Sequence, residues 1–476
     1  MSEEQIVVSN VENLWPYESA QQLKNMNINP EELENRFPET NFSWNKNYQK
    51  NKIYYSLRIQ TDPLFIFNPE NCKDLEKMID YLSSKKLTFA MLGGRSSPQL
   101  LSPEVLINMQ KFKHLKNKEN KLTMGSATTQ GEIYKFLFDS KYKFNGVNGS
   151  TIGSGSLTTI GGSSIFKRTL GLVIDSVKSF KITLPPNREH DFSRTVKVSQ
   201  KKNKELFYAL LGGSASNFGI ISEIKIKIYK IHRIVSYNLP VDEKDLVKKI
   251  NLWKETAPNR PPNYNETFYV KSDNGKLFGV LSGYYIVHEN QTDDEAEDIV
   301  KNELRYMGKN IQITTSNYND TYKTSLNLIG FNAFSIYQAI YTVDFSSNYI
   351  YEKMKEAKEL NGVCFYAIEL MGGKIKSPLA EEKSSFPYRN TNFYIVIGSQ
   401  WLSQTNNQSF ENWVRSIDRH YLDAKKGFYC GFPIAFTELS DSTNGEIYFG
   451  KNYKKLLKIK EYYDPYNILT PTGTLA

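Results

Sequence analysis

An α+β fold of at least two domains is what this 476-residue sequence predicts. Three observations carry that expectation. The chain is longer than one usual domain. Amphipathic helical patterns and strand runs alternate along it, and residues 231–440 read as an antiparallel sheet backed by helices. Three glycine turns each sit at the end of a strand or a helix, at 93–94, within 146–175 and at 212–219.

Residues 1–50 are polar, with short helical patches. Leu64 to Asn68 reads as a buried strand, followed by a helix from Pro69 with Leu75, Met78, Ile79 and Leu82 on one face. A second strand, Thr88 to Leu92, runs into Gly93-Gly94-Arg95-Ser96-Ser97-Pro98. Free N–H groups at such a strand end suit an anionic cofactor, and the turn lacks the G-x-G-x-x-G spacing of a nicotinamide-binding Rossmann unit. Strand-like runs at 105–109 and 121–129 and a helix at 131–138 lead to Gly146–Asp175. That stretch holds seven glycines and no acid before Asp175. It is a poor helix former, since each glycine costs about 1 kcal/mol there, but it offers bare N–H groups and hydroxyls to a diphosphate and its sugars. Beyond it come a strand at 177–184, a helix through Leu206, Phe207 and Leu210, the turn at Gly212-Gly213, Asn217-Phe218-Gly219, and a strand opening with Ile220 and Ile221. Further on, helical patterns at 242–255, 293–308, 347–360 and 410–422 alternate with strands at 265–273, 276–288, 362–373 and 392–402.

Composition narrows the function classes. The net charge of +9 comes from short lysine clusters mixed with apolar residues, which read as solvated faces and predict no nucleic-acid groove. Three distant cysteines make neither a metal spacing nor a disulfide framework. No membrane span and no secretory signal is recognised, so an intracellular soluble protein, with self-association left open, is the expectation.

The motifs resemble the FAD-linked oxidases of the berberine-bridge-enzyme group, within the vanillyl-alcohol-oxidase type of flavoproteins with a PCMH-type FAD-binding domain. Gly93-Gly94-Arg95-Ser96 is similar to the family's Gly-Gly-His-Ser. Gly149-Ser150-Thr151-Ile152-Gly153, Gly161-Gly162 and Gly171 to Asp175 are similar to its second loop, and Glu205 to Ser222 to its third. Phe386-Pro387-Tyr388-Arg389, Tyr448 to Tyr453 and Tyr463 to Ile468 follow in the family's order, so the resemblance spans about residues 60–470. It implies an FAD-binding domain of two α/β subdomains split between 1–230 and 440–476, with a substrate domain inserted at 231–439. Cofactor contacts would fall on Gly93, Gly94, Arg95, Ser96, Ser97, Gly149, Ser150, Thr151, Gly153, Gly161, Gly162, Asp175, Gly219, Ile220, Ile221 and Asn452. A small-molecule alcohol or sugar-like substrate and dioxygen as electron acceptor are also implied.

Departures bear on chemistry. The family's flavin-tethering His and Cys positions carry Arg95 and Gly149, neither of which can form the bond, so FAD would be held non-covalently, with Arg95 either pairing with the diphosphate or only filling space. The family's Y-x-N-Y base motif is reduced to Tyr429-Cys430-Gly431-Phe432. Hydroxyl oxidation by hydride loss needs a base within hydrogen-bond reach, and Tyr429, Glu369, Tyr366 and Tyr394 are the substitutes. Glu369 lies in the apolar run Tyr366 to Met371. Burial there would suit it to proton transfer, or it pairs with a cation such as Arg389. Two functions stay open: an FAD-dependent oxidoreductase, or a degenerate member of the fold that binds without catalysing.

Overall fold

In the computed structural model, residues 16–52, 56–58, 61–94, 104–147, 149–308, 310–318, 333–424, 426–431, 444–469 and 475 are described. Arg95, Ser96, Ser97 and Phe432 lie outside them.

Three large sheets and one two-stranded ladder (Tyr142–Lys143 with Tyr229–Lys230) organise the described chain, in the mixed α+β architecture the sequence predicts. The first has the order Asn41–Phe42, Phe65–Phe67, Val105–Asn108, Phe89–Leu92, with the last three strands parallel. Its crossover helix Cys72–Lys85 starts at Asn71, whose side chain accepts from the N–H groups of Lys73 and Asp74 while Asp74 reaches back. This capping box places the start beyond Pro69, where the proline pattern alone had put it. The second sheet is antiparallel, in the order Leu115–Lys118, Lys121–Gly125, Ile220–Lys227, Val177–Leu184, Arg194–Ser199.

The third sheet has eight antiparallel strands: Gln312–Asn317, Arg233–Asp242, Lys276–Ile286, Tyr264–Asp273, Val363–Leu370, Phe393–Trp401, Phe334–Thr342 and Gly427–Phe428. Four of these (233–242, 312–317, 334–342 and the two-residue 427–428) are not among the strands legible in the sequence. Pro240 and Asn238 interrupt the first, whereas Phe334–Thr342 is itself rich in Phe, Ile and Tyr and pairs along its full length with Phe393–Trp401. Helices Leu246–Thr256, Ser347–Glu356 and Asn407–Asp423 back the sheet. Successive side chains on a strand point to opposite faces, so Cys364, Tyr366 and Ile368 join the buried core while Val363, Phe365, Ala367 and Glu369 face a cavity.

Two buried arginines bind the eight-stranded layer to the glycine-rich stretch. Arg168, in the short helix Lys167–Leu170, is almost fully buried and donates to the carbonyl oxygens of Arg260, Pro261, Tyr264 and Met371. Arg389 is paired with Asp175 at 2.6 Å and also donates to Ser384 and to the Ile375 carbonyl. The helix Tyr453–Tyr463 returns to the first half of the chain, where Lys460 bridges Asp464 at 2.8 Å and the Leu469 carbonyl at 3.0 Å.

Removing one member of a buried ion pair strands the other, at a cost of about 3–5 kcal/mol. Asp175→Asn is therefore expected to lower the denaturation midpoint well below that of the native chain in a chemical unfolding curve. A double substitution, Asp175→Asn with Arg389→Met, is expected to recover part of the loss.

Candidate active site

The three glycine turns meet through their backbones. A Cβ on Gly94 would lie 2.3 Å from the Gly153 nitrogen, and one on Gly153 would lie 2.7 Å from the Gly94 nitrogen, so these loops touch only because both are glycine. The Thr159 carbonyl accepts from the N–H groups of Gly212 and Ser214, which joins the second turn to the third. Segment 150–155 is laid against 126–131 by bonds from Gln130 N to Ile152 O, Gly131 N to Ser150 O and Ser154 N to Thr128 O.

Where the turns meet, a cavity of about 680 Å³ opens and runs out along the inner face of the eight-stranded sheet. Gly93, Gly94, Gly153, Gly219, Ile220 and Ile221 line its inner end. So do three serines the sequence reading passed over, Ser126, Ser214 and Ser216. The signal for them was the "Gly-Ser" step at each turn (Gly125-Ser126 and Gly213-Ser214). Ser126 Oγ is buried with no hydrogen-bond partner among the described residues, which marks this end as built for a polar guest.

Other sequence candidates have structural roles. Gly161 and Gly162 have φ of 111° and 75°, and Cβ atoms there would meet the Phe386 ring and Val173. These glycines therefore admit the Phe386 loop and are not among the residues lining the cavity. Asp175 is also absent from that lining, its carboxylate being taken by Arg389 and by the Leu172 N–H. Asn452 donates to the Ser385 carbonyl at 2.9 Å and is likewise absent from the lining. Gly149, at φ 125°, sits with Ser150 and Thr151 behind the lining, where a cysteine would be strained.

On the sheet side, the strand register sets Glu369 between Thr267 and Tyr394, and Tyr394 opposite Tyr341. Glu369 Oε2 is 2.8 Å from the ammonium of Lys167 and also accepts from Ser163, which leaves Oε1 without a hydrogen bond among the described residues. Its cation is thus Lys167, not Arg389. Lys167 is buried by its place beside Arg168, and sequence reasoning missed it because a lone lysine in a glycine-rich loop reads as solvated. Tyr429 and Tyr394 line the same region with ring centroids 5.6 Å apart. Burial, with Cys430 and Glu369 nearby, holds the Tyr429 hydroxyl well above the usual phenol range, and burial does the same for Tyr394. Both stay protonated, able to donate hydrogen bonds and unable to serve as bases. Tyr366 points the other way: it packs edge-on against Trp413 behind the sheet, and its hydroxyl is buried there without a partner among the described residues. Strand alternation therefore removes it from the candidate bases. Among the described residues no group of three or more His, Cys, Asp or Glu is placed to hold a metal, and no helix is long and apolar enough to cross a membrane.

Touching glycine turns and a serine-lined inner end fit a flavin dinucleotide, and the fold is that of a flavoprotein. Residues 63–217 match the family described as "FAD binding domain", and 434–470 match that described as "Berberine and berberine like". An FAD-linked oxidoreductase of Dictyostelium discoideum is 24% identical, over 87% of this chain and 88% of its own length. Cannabidiolic acid synthase-like 1 of Cannabis sativa is 24% identical, over 88% of this chain and 85% of its own. Among solved structures, a chitooligosaccharide oxidase superposes with a TM-score of 0.78 at 15% identity, covering 96% of this chain and 99% of its own. These matches support a divergent berberine-bridge-enzyme-like FAD-linked oxidoreductase, and the cofactor is FAD.

Because a methyl group at Gly94 would overlap the backbone of residues 151–153, Gly94→Ala is expected to part the two loops. Purified variant should carry much less flavin per chain than native protein, measured as the ratio of flavin to protein absorbance.

Proposed function

We propose that the chain oxidises a hydroxyl-bearing carbon of an alcohol or sugar-like substrate, with non-covalently held FAD as hydride acceptor and dioxygen as the final electron acceptor. The observation that carries this reading is the open Oε1 of Glu369 at the junction between the glycine turns and the sheet-lined cavity. FAD supplies the redox chemistry when bound. Gly94, Gly153, Ser126 and the turn at Ser214 to Ser216 would hold it.

The chain's own residues would do the rest. Glu369 takes the hydroxyl proton on Oε1, and the Lys167 ammonium and Ser163 hydroxyl on Oε2 fix the carboxylate's orientation. Placing the base in a walled cavity raises the effective concentration of the reacting pair. Tyr429 and Tyr394, kept as neutral phenols, hydrogen-bond the substrate and help exclude water. Gly149 offers no sulfur and supports non-covalent flavin.

Acid precipitation is expected to release the whole flavin spectrum into the supernatant; flavin left in the pellet would sink the non-covalent reading. A peroxide-coupled screen of alcohols and oligosaccharides should yield a substrate. With that substrate, Glu369→Gln is expected to lower kcat about 10²–10⁴-fold, the usual worth of a positioned base. Tyr366→Phe, behind the sheet, should leave kcat unchanged.

A further inference from the structure

Beyond the reacting end, the cavity continues along the sheet, and its far wall carries a cation that the proposed chemistry does not use. Lys271 lines it, four residues along the Tyr264–Asp273 strand from Thr267, the cross-strand partner of Glu369. On an extended strand that is about 13 Å from the proposed base. The register flanks Lys271 with Phe365 on one side and Phe278 on the other, and its ammonium lies 5.1 Å from the centroid of the Tyr269 ring. It makes no ion pair among the described residues. Asp273, two residues on, also lines the cavity, but it is exposed and accepts instead from the Asn274 side chain. Burial lowers the Lys271 pKa, with Asp273 opposing, so the charged form is partly desolvated, and its contact among the described residues is the Tyr269 ring face and not a carboxylate.

We propose that Lys271 is the anion-recognition point of an outer subsite, and that the preferred substrate carries a carboxylate about two sugar rings from the hydroxyl oxidised beside Glu369. An amphipathic ligand suits the path between them. Ala367 and Val396 form its apolar floor, Tyr269, Phe365 and Phe278 give ring faces for a sugar or an aromatic ring, and Gln400 donates a hydrogen bond to the Tyr337 hydroxyl at the same end. A carboxylate arriving there meets a cation already stripped of part of its water, so its charge-assisted hydrogen bond is stronger than the same contact in solvent. A neutral ligand of the same size would leave that cation without an ion-pair partner.

This inference rests on reading the cavity as the substrate site but not on turnover, so it is tested by binding. Calorimetric titration of the FAD-loaded protein with cellobiose and with cellobiouronic acid compares two-ring probes that differ in one carboxylate. The acid is expected to bind about tenfold or more tightly, as a hydrogen bond to a charged group implies. That preference should vanish in Lys271→Met, persist in Lys271→Arg, and persist in Lys178→Met, a lysine on the outer face of another sheet. Equal affinities in the native protein, no binding of either probe, or a preference that survives Lys271→Met would overturn the proposal. A protein that prefers the acid yet shows no peroxide production with any substrate would count against the oxidase reading and leave the subsite standing.

Discussion

The site depends on the burial of Arg168. Its guanidinium is sunk between the glycine-rich stretch and the eight-stranded sheet, and four backbone carbonyls from residues 260–264 and 371 replace its water. The charge is tolerated in that position because each guanidinium nitrogen finds a carbonyl dipole and the Glu266 carboxylate nearby favours the charged form. The consequence is positional. With Arg168 locked to the sheet, its neighbour Lys167 has little choice but to turn toward Glu369, and the 2.8 Å ion pair between them closes the seam between the flavin turns and the substrate wall. The Asp175–Arg389 pair fastens the same seam a few residues on.

Around that seam, glycine plays two physical roles that look alike in sequence. Gly94 and Gly153 let two backbones touch where they line the cavity. Gly161, Gly162 and Gly212 instead make room for Phe386 and Val173. The second role is packing between layers, and it would persist in a chain with no flavin at all. The cofactor reading therefore rests on the first group, on the unpartnered Ser126 hydroxyl, and on the family matches.

The tyrosines illustrate how burial sorts chemically similar groups. Tyr429 and Tyr394 face the cavity, and Tyr366 faces the helices, yet burial pushes all three hydroxyls upward. None is suited to take a proton. The carboxylate of Glu369 is held by a lysine and a serine on one oxygen only, which makes it the better placed acceptor. Asp418 is a contrasting case: buried behind the sheet, its carboxyl is raised well above the usual range by that burial, far from any route to substrate.

Several features were legible in the residue order. The α+β class, the three glycine turns and the strand Val177–Leu184 follow from local patterns: period-two alternation, helix caps, and glycines at strand ends, each a property of a short window of chain; the FAD family was legible only as a resemblance of motifs. The partner of Glu369 was not legible, nor was the side of the sheet on which Tyr366 falls, nor the division of glycines between cavity lining and layer packing. Lys167 and Glu369 lie far apart in the chain, and the Arg168 anchor, with the Asp175–Arg389 pair, brings them together. The face that Tyr366 takes depends on which neighbour's ladder sets the register, and a slip of one residue would reverse it. Such facts belong to the tertiary structure because they arise from contacts between distant segments, whose geometry no local window of sequence contains.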